Sequence, residues 1–168
     1  MGVATFDYVR AFCQAAEKVL SYLLNEEPVR GKPVFQTGAA IPLQEVNVII
    51  GVTGDLKGQI NFGMDKNTAQ AIAAAMMMVE SLPELNEMAV SALSELANMI
   101  SGNATILISE SGANSDITPP SITMGSAVVA SWYGIRAMTT PIIMSKGTLH
   151  LTVGIKMDGP SVIKSRGA

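Results

Sequence analysis

A chain of 168 residues with 48% hydrophobic residues has the length and apolar content of one globular domain. Eleven lysines and arginines against fourteen aspartates and glutamates leave a net charge of -3 with no long run of either sign, which argues against a nucleic-acid partner. With one cysteine (Cys13), one histidine (His150) and no acids clustered at ligand spacing, no internal disulfide is available and no zinc or iron site is expected.

The N-terminus lacks the basic start and continuous apolar stretch of a secretory signal, and the most apolar windows fall short of the roughly 20 residues that a spanning helix needs. A cytoplasmic protein without a membrane span is expected. Apolar residues at Phe6, Val9, Cys13, Ala16, Leu20 and Leu23 recur in steps of three and four, which predicts a first helix that Pro28 ends. Cys13 lies in that stripe and reads as a buried, inert thiol. Val34 and Phe35 form a short candidate strand. Val46 to Thr53 and Gln59 to Met64, separated by the turn pair Gly54 and Asp55, predict a β-hairpin. Gly51, Gly54 and Gly58 superficially imitate a phosphate loop, but no helix follows them directly, so turns and bulges account for them better.

Asp65 and Asn67 offer side-chain oxygens ahead of a second helical run, Thr68 to Val79. Ser81, three residues before Glu84 and with Pro83 between them, predicts the opening of a third helix from Glu84 to about Ile108. Ser109 to Pro120 holds Gly112, Asn114, Pro119 and Pro120 and reads as a surface loop. Ser126 to Tyr133, Thr139 to Met144 and Thr148 to Ile155 read as a three-stranded antiparallel meander, with His150 on its wet face. The fold class is therefore α+β, an antiparallel β-sheet covered by helices in the order helix, strands, two helices, strands. A single domain over residues 1–156 is expected, with 157–168 as a flexible tail.

On a helical wheel, Leu85, Ala89, Leu93, Leu96, Ile100, Ala104 and Leu107 of the third helix share one apolar arc. Ser91, Glu95, Asn98 and Gly102 fall together on the opposite side. A polar helix face is ordinarily just solvated. Asn, however, is a poor interior helix former, so an exposed Asn98 gains the helix nothing locally. Small neighbours, Ser91, Ser94 and Gly102, with Met88 and Met99 at the border, make a low ridge suited to docking another protein.

The run Ser94-Glu95-Leu96-Ala97-Asn98-Met99-Ile100, continued by Ser101-Gly102-Asn103-Ala104, resembles the motif of the CheX/CheC/FliY phosphatase family: an Asp or Ser, three residues, Glu, two residues, Asn. Ser91, Glu95 and Asn98 fill those positions. Gly51 to Gly58 resembles the family's first hairpin and Gly31-Lys32-Pro33 its lead-in, and the likeness runs from about Thr5 to Lys156. Ser91 stands where many members have Asp, and Ser94 where many have Gly. Pro119 and Pro120 are candidates for the family's downstream proline. CheC carries two Glu-x-x-Asn elements, but here the first helix has Glu17-Lys18-Val19-Leu20, with Leu in the Asn position, which resembles the single-site CheX branch.

The resemblance implies a phosphatase that removes the aspartyl phosphate of a CheY-like receiver. Glu95 and Asn98 would be catalytic, and Ser91, Ser94, Met88, Met99 and Gly102 would meet the partner. It implies a homodimer, and no metal or cofactor of its own, since the receiver brings the Mg²⁺. A receiver-binding or flagellar-switch adaptor that has lost catalysis is the alternative, and a structural dimer with a merely solvated helix is a third reading.

Overall fold

In the computed structural model, which describes residues 3–132 and 134–157 with side chains from Tyr8 onward, the first predicted helix is α1 (Val3–Leu24), and Phe6 of its apolar stripe lies outside the described side chains. Val9, Cys13, Ala16 and Leu20 are all buried. Three short strands follow, β1 (Val29–Arg30), β2 (Val34–Gln36) and β3 (Ile41–Pro42). The predicted hairpin is β4 (Val46–Gly54) and β5 (Leu56–Met64). Gly54, at φ 101°, makes the turn, and a Cβ there would sit 2.8 Å from the Asn114 carbonyl oxygen.

Asp65 caps α2 (Lys66–Met77) by accepting from the Thr68 amide at 2.7 Å. The helix stops one turn short of Glu80 because Met78 adopts a left-handed conformation, φ 57°. α3 (Glu87–Glu110) begins three residues later than the sequence predicts. Its cap is Asn86, which accepts from the Ala89 amide at 2.9 Å, and not Ser81. Leu82 and Leu85 explain the delay, since both turn inward against the core from a non-helical connection.

The region read as a loop after α3 contains β6 (Ser115–Ile117), and β7 (Ser121–Met124) follows Pro119 and Pro120. Both pair antiparallel with β4, so two short pieces share one edge where the prolines forbid a continuous strand. The meander is a hairpin only, β9 (Ala137–Met144) and β10 (Gly147–Met157). Within Ser126 to Tyr133, only β8 (Val129–Ala130) is extended, and it pairs with β3 in a separate two-stranded sheet. Tyr133 and the tail from 158 onward lie outside the described residues, while Met157, assigned to that tail, ends β10.

The main sheet runs β1-β9-β10-β5-β4-β6, with β2 also on β9 and β7 on β4. One register row, Ile122, Val48, Phe62, Leu151 and Thr140, crosses five strands and faces the helices. Above it lies the core, where α1 and α3 pack on one another and on the sheet through Phe12, Leu20, Leu93, Leu96 and Ile100. Burial raises the Cys13 thiol pKa, so the thiolate is disfavoured.

The opposite face of the sheet is not wet. Asn47, Asn61 and Thr152 are buried there; Asn61 Nδ2 donates a hydrogen bond to Asn47 Oδ1 at 3.1 Å, and the Thr139 and Thr152 hydroxyls share one at 2.8 Å. The β3–β8 pair, with Ile41, Trp132 and Ala137, covers part of it, and a side chain on Gly154 would collide with the Trp132 indole. His150 is accordingly half-buried, and burial lowers its pKa while Asp65 partly opposes the shift.

Candidate functional site

Two rows at four-residue spacing bind α3 to the core: Ala89, Leu93, Ala97 and Ser101, and beside them Leu96, Ile100, Ala104 and Ile108. Such rows drift around the helix, so near its end Ile108 is buried and Leu107, placed in the core by the wheel, is 36% exposed. Each alanine brings the α3 backbone close to its neighbours and holds the helix in one orientation. The face pointing away is thereby fixed as well.

That face carries Ser91, Glu95, Asn98 and Gly102 in steps of four, three and four. Ser91 and Glu95 are exposed, and Asn98 and Gly102 are half-exposed. Met88 (66% exposed) and Met99 frame them with apolar surface. Ser94 sits at the flank, half-buried, and its hydroxyl donates to the Val90 carbonyl at 3.0 Å, so it offers a partner little beyond its size. All the predicted residues thus lie on one helix, with Ser94 at its margin.

Glu95 and Asn98 have no hydrogen-bond or ion-pair partner among the described residues. The contrast with Asn103 is instructive. That amide turns back on its own helix and donates to the Met99 carbonyl at 2.8 Å, the usual local outlet for Asn inside a helix. Asn98 leaves both its donor and its acceptor free, next to a free carboxylate.

Ile106, 62% exposed, extends the stripe one turn beyond Gly102 and was missed from sequence. Its signal is there: an isoleucine four residues after Gly102 and seven after Met99 continues the exposed face rather than the core rows. A charge pattern was missed too. Between Lys66 and Arg136 the chain has no lysine or arginine, yet it holds Glu80, Glu84, Glu87, Glu95, Glu110 and Asp116. Residues 67–135, from just after Lys66 at the start of α2 through α3, therefore carry only negative formal charge. Among the described residues, no three His, Cys, Asp or Glu side chains group as metal ligands, and no helix is long and apolar enough to cross a membrane.

An antiparallel sheet under three helices, one of which presents a carboxylate and an amide with no partner among the described residues on an open face, defines the class of the fold as α+β. The chain belongs to the CheX family: the family described as chemotaxis phosphatase CheX matches residues 46–142, more than half of the chain and the whole of α3. It is 29% identical over 151 residues to the CheY-P phosphatase CheX of Thermotoga maritima, covering 90% of this chain and 97% of that one. Among solved structures, the chemotaxis protein CheX of Desulfovibrio desulfuricans superposes with a TM-score of 0.79 at 24% identity, covering 90% and 99% of the two chains. The CheX-CheY-BeF3-Mg²⁺ complex of Borrelia burgdorferi contains a chain with a TM-score of 0.75 and 28% identity, with 89% and 97% covered.

Proposed function

We infer that this chain is a phosphatase that hydrolyses the aspartyl phosphate of a CheY-like receiver domain in chemotaxis-type signalling, with Glu95 and Asn98 as its catalytic pair. The observation that carries this reading is that both side chains project from the open face of α3 and remain unpartnered. The family and the Thermotoga relative support the activity, and the Borrelia complex supports a receiver as partner.

Acyl phosphate hydrolysis passes through a loose transition state and is limited by the placement of a water in line with the leaving carboxylate. Asn98 suits that task, because its amide both donates and accepts and stays neutral beside the phosphoryl oxygens. A carboxylate at that position would repel them. Glu95 pairs with a lysine of the receiver and fixes the helix over the phosphoryl group, a contact that strengthens as the interface excludes water. The uniformly acidic charge of residues 67–135 favours a basic docking face on the partner and speeds encounter at low salt. Met88, Met99, Gly102 and Ser91 form the surrounding contact surface, with Ser94 at its edge. The Mg²⁺ belongs to the receiver, this chain needs no cofactor of its own, and its substrate places it in the cytoplasm.

The working form is a homodimer. Val29 and Val34 in the edge strands, with Phe35 and Ile143 beside them, are exposed apolar residues at the β1/β2 side of the sheet, where a second copy gains most by covering them. Light scattering at tens of micromolar is expected to give twice the chain mass, and a monomer there removes this assignment. For the activity, the decay of a labelled phospho-receiver is measured with and without the protein. Faster decay is the expected result; a stable complex without faster decay would make the protein an adaptor.

A further inference from the structure

Gly102 lies in the interior of α3, eight residues before the helix ends. Apart from proline, glycine is the least favourable residue for such a position. At other described positions a glycine has an evident cause: a Cβ would strike Asn114 at Gly54, Gly154 at Gly58 or Trp132 at Gly154, and Gly112 and Gly134 have positive φ. At Gly102 nothing lies within 4 Å of an added Cβ, and its φ is not positive. The fold itself gives no reason for the missing side chain.

Its surroundings supply one. Gly102 stands one helical turn beyond Asn98 and two beyond Glu95 on the same stripe. The adjacent polar side chains are folded down onto the helix: Thr105 Oγ1 donates to the Gly102 carbonyl at 2.8 Å, and Asn103 Nδ2 to the Met99 carbonyl at 2.8 Å. Met99, one turn before Gly102, and Ile106, one turn after it, are exposed apolar neighbours. A low point is thus kept open beside the free amide, with apolar surface before and after it along the helix.

We propose that Gly102 is a clearance residue: its missing side chain lets the phosphoryl-bearing surface of the receiver settle against the α3 backbone, close enough for the Asn98 amide to reach the attacking water. The inference rests on the phosphatase reading above. It makes Gly102 a positioning residue that sets how closely the partner can approach, and it assigns it no chemical step.

Gly102→Ala and Gly102→Leu test it, with Lys18→Leu on the exposed side of α1 as the control for added bulk. Because the space is open, Gly102→Ala is expected to raise the Tm of the isolated protein by about 2 to 4 °C. The same change is expected to slow receiver dephosphorylation about threefold, and Gly102→Leu at least tenfold. Gly102→Leu is also expected to weaken binding of a receiver loaded with beryllofluoride and Mg²⁺ about tenfold, with Lys18→Leu like wild type in every assay. A gain in stability with a loss of activity cannot come from damage to the fold. Wild-type rates and affinity in both Gly102 variants overturn the clearance role and leave the phosphatase reading standing. A wild-type protein that neither accelerates decay nor binds the loaded receiver overturns both.

Discussion

Helices α1 and α3 lie on the same side of the sheet, and each carries a glutamate at the head of a four-residue register, yet the two registers do opposite things. In α1, Glu17 is held by the Arg30 guanidinium through two contacts, at 2.5 and 2.7 Å, and Leu20 three residues later is fully buried. In α3, Glu95 and Asn98 hold the same spacing, and their side chains bind nothing among the described residues. Three residues along a helix is one turn, so the register alone only sets two side chains near each other. The surroundings decide the rest: a cation across the gap makes Glu17 part of the scaffold, and its absence leaves Glu95 available.

The strongest way to break this comparison is to make the two registers alike. Leu20→Asn gives α1 the Glu-x-x-Asn pattern but buries an amide in the core, and should cost about 4 kcal/mol, read as a lower denaturant midpoint. No second active register should appear, and faster receiver dephosphorylation in that variant would contradict the view that α1 is structural. Asn98→Ala should reduce the rate of phospho-receiver decay about 100-fold, the loss typical of one positioned polar group, and leave the Tm within a degree or two. An unchanged rate would remove Asn98 from the mechanism. Glu95→Ala should lower the rate about tenfold and weaken binding with it, and a Glu95→Gln variant that restores full activity would show that charge pairing is not needed. Glu17→Ala, by contrast, should change stability by no more than about 1 kcal/mol and activity not at all, since the pair it breaks is partly exposed.

The smallest effect concerns pH. Burial holds the His150 pKa below its ordinary 6.5, so between the lowered value and 6.5 the unfolded chain binds more protons than the folded one. Stability is therefore complete above about pH 6.5 and declines as pH falls through that window. A His150→Gln variant should show a flatter denaturation midpoint across the same range.

Much of this was legible in the residues. The β-branched and apolar runs of β4 and β5, the alternation of Leu149, Leu151, Val153 and Ile155 in β10, the turn at Gly54 and Asp55 and the Asp65 cap are local signals, and these survive folding. The exposed face of α3 was legible because a helix shows its periodicity whatever it packs against. The failures share a different cause. Ser81 and Glu84 spell a good helix start, but Leu82 and Leu85 gain more by packing inward, and Asn86 takes the cap. The stretch from Ser126 looks as extended as β9, yet only Val129 and Ala130 find a partner, and that partner is β3 rather than the main sheet. β6 and β7 were hidden because a polar, proline-containing segment is extended here only through the free edge of β4. His150 appeared wet because nothing in its own strand reveals that the far side of the sheet is roofed.

Asp55 has a part beyond making a tight turn. Its carboxylate accepts the Asn114 amide at 2.9 Å and its own amide donates to the Asn114 carbonyl at 2.9 Å. The chain leaving α3 is thus moored to the tip of the β4–β5 hairpin, while Leu82 and Leu85 pack the approach to the other end of the helix against the core. A beam clamped at both ends resists rocking, so under the proposed mechanism a receiver pressing on its middle would meet side chains that hardly recoil, and the energy of docking would go into aligning the reacting groups instead of bending the support.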